Sequence, residues 1–181
     1  NLDDIKILDL GCGEGIHSIN ILNKIKNCYR YFGFDYSKCA INLASDYNGS
    51  NRFYFNGDVN NIPIASDSID VIIDFLSPYS ESEVKRVLKK GGIFIKIAPS
   101  SNYLLELREA SGLGKYQKQQ EIIDNLGKYF KDIVTENYQR TFKIEQDDIE
   151  NLIGMTPLKL KANNLKIEQI TIDLNMYKMA K

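Results

Sequence analysis

Apolar residues along this chain come in short blocks separated by polar, glycine-containing joints, and the spacing inside the blocks switches between two periods. Ile5, Ile7, Leu8 and Leu10 make a near-continuous run, the pattern of a strand covered on both faces. From Gly15 to about Lys26, Ile16, Ile19, Leu22 and Ile25 recur at helical spacing. Residues 31–35 read as a second short strand, and Ala40, Ile41, Ala44 and Tyr47 as the inner face of a helix capped by Ser37. Beyond the turn cluster 48–51, residues 52–55 read as a third strand and 71–73 as a fourth, buried on both sides. Ser80 and Glu83 have the spacing of a capping box ahead of a helix with Val84, Val87 and Leu88 on one face. Lys89, Lys90, Gly91 and Gly92 then read as the end of that helix, and 93–98 as a fifth strand. Strands alternating with helices point to an α/β fold with a parallel sheet.

The last third is less regular. A helix is expected through Tyr103, Leu104 and Leu107, followed by a polar stretch, 111–120, whose Gly112 and Gly114 suit a mobile lid. Residues 133–144 read as a strand and 147–153 as a short helix, stopped by Met155-Thr156-Pro157. Ile170, Ile172, Leu174 and Met176 alternate with Gln169, Thr171, Asp173 and Asn175, the signature of a half-exposed, antiparallel last strand. A chain of 181 residues fits one domain, 1–181, within which 99–130 is the variable, substrate-side segment. The chain starts at Asn1, a few residues before its first strand, so a preceding N-terminal part is expected to be missing.

Charge changes this picture little: 23 basic against 24 acidic residues give −1, with no global pull toward nucleic acid. The three cysteines, Cys12, Cys28 and Cys39, form no C-x-x-C pair and are joined by one histidine, His17, which argues against a metal site. Free thiols, no signal peptide and no apolar run near 18 residues point to a cytoplasmic protein without a membrane anchor.

Candidate chemistry sits where strands end. The first strand runs into Gly11-Cys12-Gly13-Glu14-Gly15, and glycine, lacking Cβ, lets backbone approach a ligand closely. A dinucleotide fingerprint would need G-x-G-x-x-G, but the third glycine comes one position early, with Ile16 where it should stand. Asp35 closes the second strand 20 residues after Gly15, where a carboxylate can accept from both ribose hydroxyls of an adenosine ligand. A second acid, Asp58, follows the third strand in Asn56-Gly57-Asp58-Val59.

The D-x-G-x-G-x-G turn, the approach NIPIASDSIDVII to the fourth strand and RVLKKGGIFI into the fifth resemble the class I S-adenosylmethionine-dependent methyltransferases. That resemblance implies a Rossmann-like, doubly wound, mostly parallel seven-stranded sheet with an antiparallel last strand, and S-adenosylmethionine as cofactor. It implies a cofactor site made of Asp9, Gly11, Cys12, Gly13, Gly15, Asp35, Tyr36, Asp58, Val59, Phe75 and Leu76, with Asp58 accepting from the adenine amine and Val59 packing on the ring. Further pieces resemble the 23S rRNA guanine-N1 methyltransferases. They are Ser77-Pro78, Ala98-Pro99, Tyr103-Leu104-x-Glu106-Leu107-Arg108-Glu109, Leu152-Ile153-Gly154-Met155-Thr156-Pro157 and Thr171-x-Asp173-x-x-x-Tyr177. The chain lacks that family's zinc ribbon, has Tyr103 where the family has histidine, and has Leu158 and Leu160 at its aromatic pair. The implied methyl acceptor is ribosomal RNA, at guanine N1; a small-molecule acceptor and a non-catalytic S-adenosylmethionine-binding protein are the alternatives.

No catalytic triad is visible, and methyl transfer by in-line displacement needs positioning more than acid–base help. The candidate catalytic residues are Ser77, Asp74 and His17. Asp74, at the end of the fourth strand, is either a base or a residue on the wrong face, and His17 either a base or a partly exposed helix histidine. Asp9 either orders the turn by accepting from its amides or touches the ligand, and Cys12 is a small filler. Lys85, Arg86, Lys89 and Lys90 read as a solvated helix face, while Tyr103 and Arg108 are substrate-side candidates on the ribosomal reading.

Overall fold

The computed structural model describes residues 4–26, 29–156 and 166–181; Cys28, Pro157, Leu158 and Leu160 lie outside them. In chain order the elements are β1 (Ile5–Leu10), α1 (Ile16–Leu22), β2 (Tyr29–Asp35), α2 (Lys38–Ala44), β3 (Arg52–Asn56), β4 (Ile69–Phe75), α3 (Glu81–Val87) and β5 (Leu88–Pro99). Then come α4 (Leu105–Ala110), α5 (Gln119–Gly127), β6 (Lys131–Lys143), α6 (Gln146–Met155) and β7 (Gln169–Ala180). The seven strands form one sheet in the order β3-β2-β1-β4-β5-β7-β6. Pairs β1–β2, β1–β4, β2–β3 and β4–β5 are parallel. β7 runs antiparallel to β5: the Gly91 amide donates to the Lys181 carbonyl at 2.9 Å, and the Ser100 amide to the Asp173 carbonyl at 2.8 Å. Strand order reverses between β1 and β4, which opens a crevice outside their carboxyl ends.

The chain groups into two compact units, Asn1–Ile97, Asp124–Thr135 and Tyr177–Lys181 in one, Ala98–Ile123 and Glu136–Met176 in the other. In the first, Ile7, Cys12, Leu22, Tyr31, Ala44 and Tyr54 form one buried cluster. Buried Ile72 and Phe94 pair across β4 and β5, and the Phe94 ring lies 5.9 Å from Phe130 and 5.7 Å from Tyr79. In the second, Leu104, Leu107, Ile149 and Ile170 make a separate small core.

Several local expectations give way to tertiary context. Lys89 to Gly92 do not end α3, which stops at Val87; Leu88, fully buried, already opens β5 opposite Ile69. The register then shifts, so that Val71 faces Ile93, and Gly91 takes the left-handed conformation (φ 78°) where the strand bulges. The capping box does not form: Ser80 Oγ pairs with Ser82 Oγ, and the Glu83 carboxylate is taken by Arg86 and the Ile62 amide. Arg86 also donates to the carbonyls of Ile62 and Ile64, and Lys89 pairs with Asp70 at 2.7 Å, so neither belongs to a solvated helix face. Leu104 stands outside α4 in the left-handed region (φ 52°), its amide bonded to the Thr171 carbonyl. Helix α5 was not expected, because Ile122, Ile123 and Leu126 are too few apolar residues to show a period.

The polar side of β7 is exposed only at its start, Gln169, and turns inward at Thr171 and Asp173. Thr171 and Asp173 are buried with their own partners: Thr171 Oγ1 donates to Glu106 Oε1 at 2.6 Å, and Asp173 accepts from the Asn102 amide and from Asn137 Nδ2, both at 2.8 Å. A buried carboxylate holding two donors loses charge-assisted bonds of about 1.5–3 kcal/mol each when deleted. Asp173→Ala should therefore lower unfolding stability by roughly 3 kcal/mol in urea titration, and Asp173→Asn by less.

Candidate active site

The turn after β1 is a stack of backbone constraints. Gly11, Gly13 and Gly15 all have positive φ (67°, 56° and 83°). At Gly11 a Cβ would also stand 2.4 Å from Ser77 Cβ, so only glycine lets the ends of β1 and β4 approach this closely. At Gly13 a Cβ would meet nothing within 4 Å, and the open side of the turn lies there. The amides of Gly11 and Cys12 both donate to the Phe34 carbonyl (2.9 and 3.1 Å), tying the turn to the end of β2.

Asp35 is the hub of that tie. Its Oδ2 accepts from the Gly13 amide at 3.0 Å and its Oδ1 from the Ser37 amide at 2.8 Å. Asn56 at the end of β3 donates to the carbonyls of Asp35 and Tyr36 (2.9 and 2.8 Å). Asp58, exposed, folds its Oδ1 onto the Asn60 amide at 2.8 Å. Around this lacework stand apolar side chains that the fold leaves in solvent: Tyr36 at 82%, Phe75 at 40% and Leu76 at 37% exposure, with Val59 half-buried. Leu76 is held in the left-handed region (φ 57°), a conformation leucine adopts only when its surroundings impose it. His17 is exposed, its ring 5.8 Å from Phe75.

Other predicted residues turn inward. Asp9 is buried and its Oδ2 accepts from Ser18 Oγ and, at 2.8 Å, from Tyr31 OH; burial pushes its carboxyl upward against those bonds. Of the two roles open to Asp9, accepting from the turn amides is not seen: those of Gly11 and Cys12 go to the Phe34 carbonyl, that of Gly13 to Asp35 and that of Gly15 to the Cys12 carbonyl. The Cys12 side chain lies in the Ile7–Tyr54 cluster, where burial pushes its thiol up. Ser77 Oγ is engaged with the Leu10 carbonyl at 2.7 Å and Asp74 Oδ1 at 2.9 Å. Asp74 is fully buried, so it faces away from solvent.

Comparison with known proteins joins this geometry. The family described as "Methyltransferase domain" matches residues 1–146. The chain belongs to this methyltransferase-domain family. YxjB of Bacillus subtilis (strain 168), named for 23S rRNA (guanine-N1)-methyl transfer, is 30% identical over 94% of this chain and 64% of its own length. The 23S rRNA (guanine(748)-N1)-methyltransferase of Streptomyces fradiae is 22% identical over 83% of this chain and 54% of its own. The chain thus spans between about half and just under two-thirds of the curated relatives it matches. The structure of Bacillus subtilis YcgJ superposes with a TM-score of 0.70 over 98% of this chain and 92% of that one, at 16% identity, which shows the shared fold. S-adenosylmethionine is the methyl donor of this class of methyltransferase.

Sequence reasoning missed what stands behind the crevice of this methyltransferase domain. Lys96, buried on β5 directly opposite Asp74, donates to Asp74 Oδ1 at 2.9 Å and to the Ser77 carbonyl at 2.7 Å, with its ammonium 4.8 Å from the Tyr79 ring centre. Among the described residues Asp74 Oδ2 has no hydrogen-bond partner. The signal was present: an acid ending VIIDF and a lysine inside IFIKIA, opposite charges in two apolar strands that the sheet makes neighbours. Among the described residues no group of three or more His, Cys, Asp or Glu could hold a metal ion, and no helix is long and apolar enough to cross a membrane.

Removing one partner of a buried pair costs more than removing both. Lys96→Met should destabilise by roughly 3–5 kcal/mol, and adding Asp74→Leu should recover most of it, measured as urea midpoints. Burial raises the Asp74 carboxyl from 3.8 to about 6 despite the pull of Lys96. A raised carboxyl favours folding while protonated, so this contribution is full below 3.8 and is lost as pH rises through about 6. Thermal unfolding from pH 3.5 to 7 should show that loss in the parent protein and not in Asp74→Asn, after each is referred to its own value at the acid end.

Proposed function

We propose that the protein is an S-adenosylmethionine-dependent methyltransferase acting on N1 of a guanine in 23S ribosomal RNA. The observation that carries the acceptor is the 30% identity with YxjB over 94% of the chain. The crevice supports the donor. Each Asp35 oxygen holds one amide, and a carboxylate has about four lone-pair sites, so Asp35 keeps capacity for the ribose hydroxyls. Asp58 likewise has its Oδ2 for the adenine amine, with Val59 and Tyr36 covering the ring and Phe75 and Leu76 the other wall. The open side of Gly13, between Gly11 and Gly15, receives the methionine end. Asp9 and Cys12 serve from behind, fixing the turn rather than touching ligand.

Bound there, S-adenosylmethionine supplies an electrophilic methyl group. The protein's work is then alignment, which can supply roughly 7–11 kcal/mol of the barrier. Guanine N1 must also shed a proton. Asp74 is sealed and the Ser77 hydroxyl engaged, whereas His17 presents its ring to solvent beside Phe75, and histidine suits proton transfer near neutral pH. In this reading His17 takes that proton, and 99–130 forms the acceptor side.

Full-length protein with labelled S-adenosylmethionine should methylate 23S rRNA from a strain lacking the modification, and reverse transcription should stop one nucleotide short of the modified guanine because N1 lies on its pairing edge. Label appearing only in a small-molecule fraction would overturn the RNA acceptor. Asp35→Ala should weaken S-adenosylmethionine binding by about tenfold or more in calorimetry, since two charge-assisted bonds are lost, while Cys39→Ser leaves it unchanged.

A further inference from the structure

The loop after α4 carries a concentration of cations. Arg108, Leu113, Lys115, Tyr116, Gln117 and Lys118 line an open cavity of about 320 Å³ within the second unit. Three of these six are cations and none is an acid. Arg86, Lys89, Lys96 and Lys181 each sit on a carboxylate, but among the described residues Arg108, Lys115 and Lys118 have no ion-pair partner. The residues 108–118 hold three cations and one acid, Glu109, a local balance of +2 in a chain whose net charge is −1.

Arg108 is also held in place. Arg108 Nε donates to the Gly114 carbonyl at 2.7 Å, and its guanidinium lies 5.7 Å from the Tyr116 ring centre. The loop folds back on itself through the amides of Gly112 and Leu113, bonded to the carbonyls of Glu109 and Arg108 (2.9 and 2.8 Å), and is pinned where the Tyr116 amide meets the Ser101 carbonyl at 3.0 Å. Gly112 and Gly114, with φ of 73° and 59°, make that path possible. Arg108 is anchored through Nε, and a guanidinium fixed in advance spends less entropy on binding. A planar fork flanked by two lysines matches phosphate oxygens, and a tyrosine face beside them offers a stacking surface to a base.

We propose that this cavity binds the phosphodiester backbone of a single-stranded RNA segment, with a base against Tyr116. The openness of the cavity favours a passing chain over an enclosed metabolite. The inference rests on RNA as the acceptor class, and its test is independent of guanine chemistry.

The probe is a short fluorescein-labelled oligouridine, which has no guanine to methylate, titrated by anisotropy into the full-length protein over a range of salt. Lys115→Glu with Lys118→Glu should weaken binding by about tenfold or more at low salt. It should also reduce the slope of log affinity against log salt by about 1.4, two contacts at roughly 0.7 each for single strands. The same reversal at Lys24 and Lys26 should leave both unchanged, and S-adenosylmethionine affinity should be unaltered in every variant. Arg108→Lys, which keeps the charge and loses the fork, should give a smaller loss. Unchanged affinity and slope in the 115/118 variant, or equal loss in the 24/26 control, would overturn the proposal, as would displacement of the oligouridine by inorganic pyrophosphate at equal phosphate concentration. A negative result here with rRNA methylation intact removes only this cavity, whereas oligouridine binding without rRNA methylation removes the guanine acceptor and leaves it standing.

Discussion

Everything at the crevice depends on how closely the ends of β1 and β4 approach. Strand order reverses between these two neighbours, so their exits diverge to opposite sides of the sheet and would splay apart if nothing joined them. Ser77 joins them: its hydroxyl bonds back to the Leu10 carbonyl, and the missing Cβ of Gly11 is the space it occupies. The same contact settles the path of the glycine turn, because a chain that must pass Ser77 at Gly11 is carried toward the Phe34 carbonyl and the Asp35 carboxylate. Asn56 extends the lacing to β3. Four strand ends are thereby fixed by hydrogen bonds between side chains and backbone, and the side chains left over at the rim, Tyr36, Phe75 and Leu76, are apolar and uncovered. Uncovered apolar groups around a rigid polar turn describe a ligand site better than a packing fault.

The support behind that rim is polar, which is costly and therefore specific. Asp74 and Lys96 are buried as neighbours in register, and through the Ser77 carbonyl Lys96 holds the loop that Ser77 uses to close the gap. Asp9 plays a related part on the other face, drawing Ser18 of α1 and Tyr31 of β2 to one carboxylate oxygen. An apolar pair in either place would pack, but would fix neither the loop nor the first turn of α1. A buried ion pair often adds no more stability than a packed apolar pair would; what these fix here is geometry.

How much of this was legible follows from where the deciding partner sits. β1 to β4 were readable because their signals are local: apolar runs, a glycine turn, acids at strand ends. The α3–β5 boundary was misread because Lys89 to Gly92 look like a helix stop, whereas the decision lies with Ile69, nearly twenty residues earlier in the chain and opposite Leu88 in the sheet. Thr171 and Asp173 looked like a solvent face because alternation reports polarity, not burial, and their partners Glu106, Asn102 and Asn137 lie far away in sequence. Lys96 was overlooked for the same reason. At the site itself, the glycines and Asp35 announce themselves, while the roles of Asp9, Ser77 and Asp74 depend on which way each side chain turns, and a strand-end residue can turn either way.

This division also bears on specificity. A methyl group already activated by its carrier asks little of the protein beyond alignment, so the residues that hold the carrier can be alike in enzymes with unrelated acceptors. The fold shared with YcgJ at 16% identity shows the scaffold persisting when most of the sequence has changed. What separates one acceptor from another must then lie outside the crevice, in surfaces that meet the rest of the substrate. For a polymeric acceptor the physical demand on such a surface is to hold many phosphates weakly and reversibly while one base is presented. A net charge of −1 cannot meet it across the whole chain, but a local excess of unpaired cations on a pinned loop can. Near-neutral overall charge and a nucleic-acid substrate are compatible for that reason: binding depends on where the cations lack partners, not on how many there are.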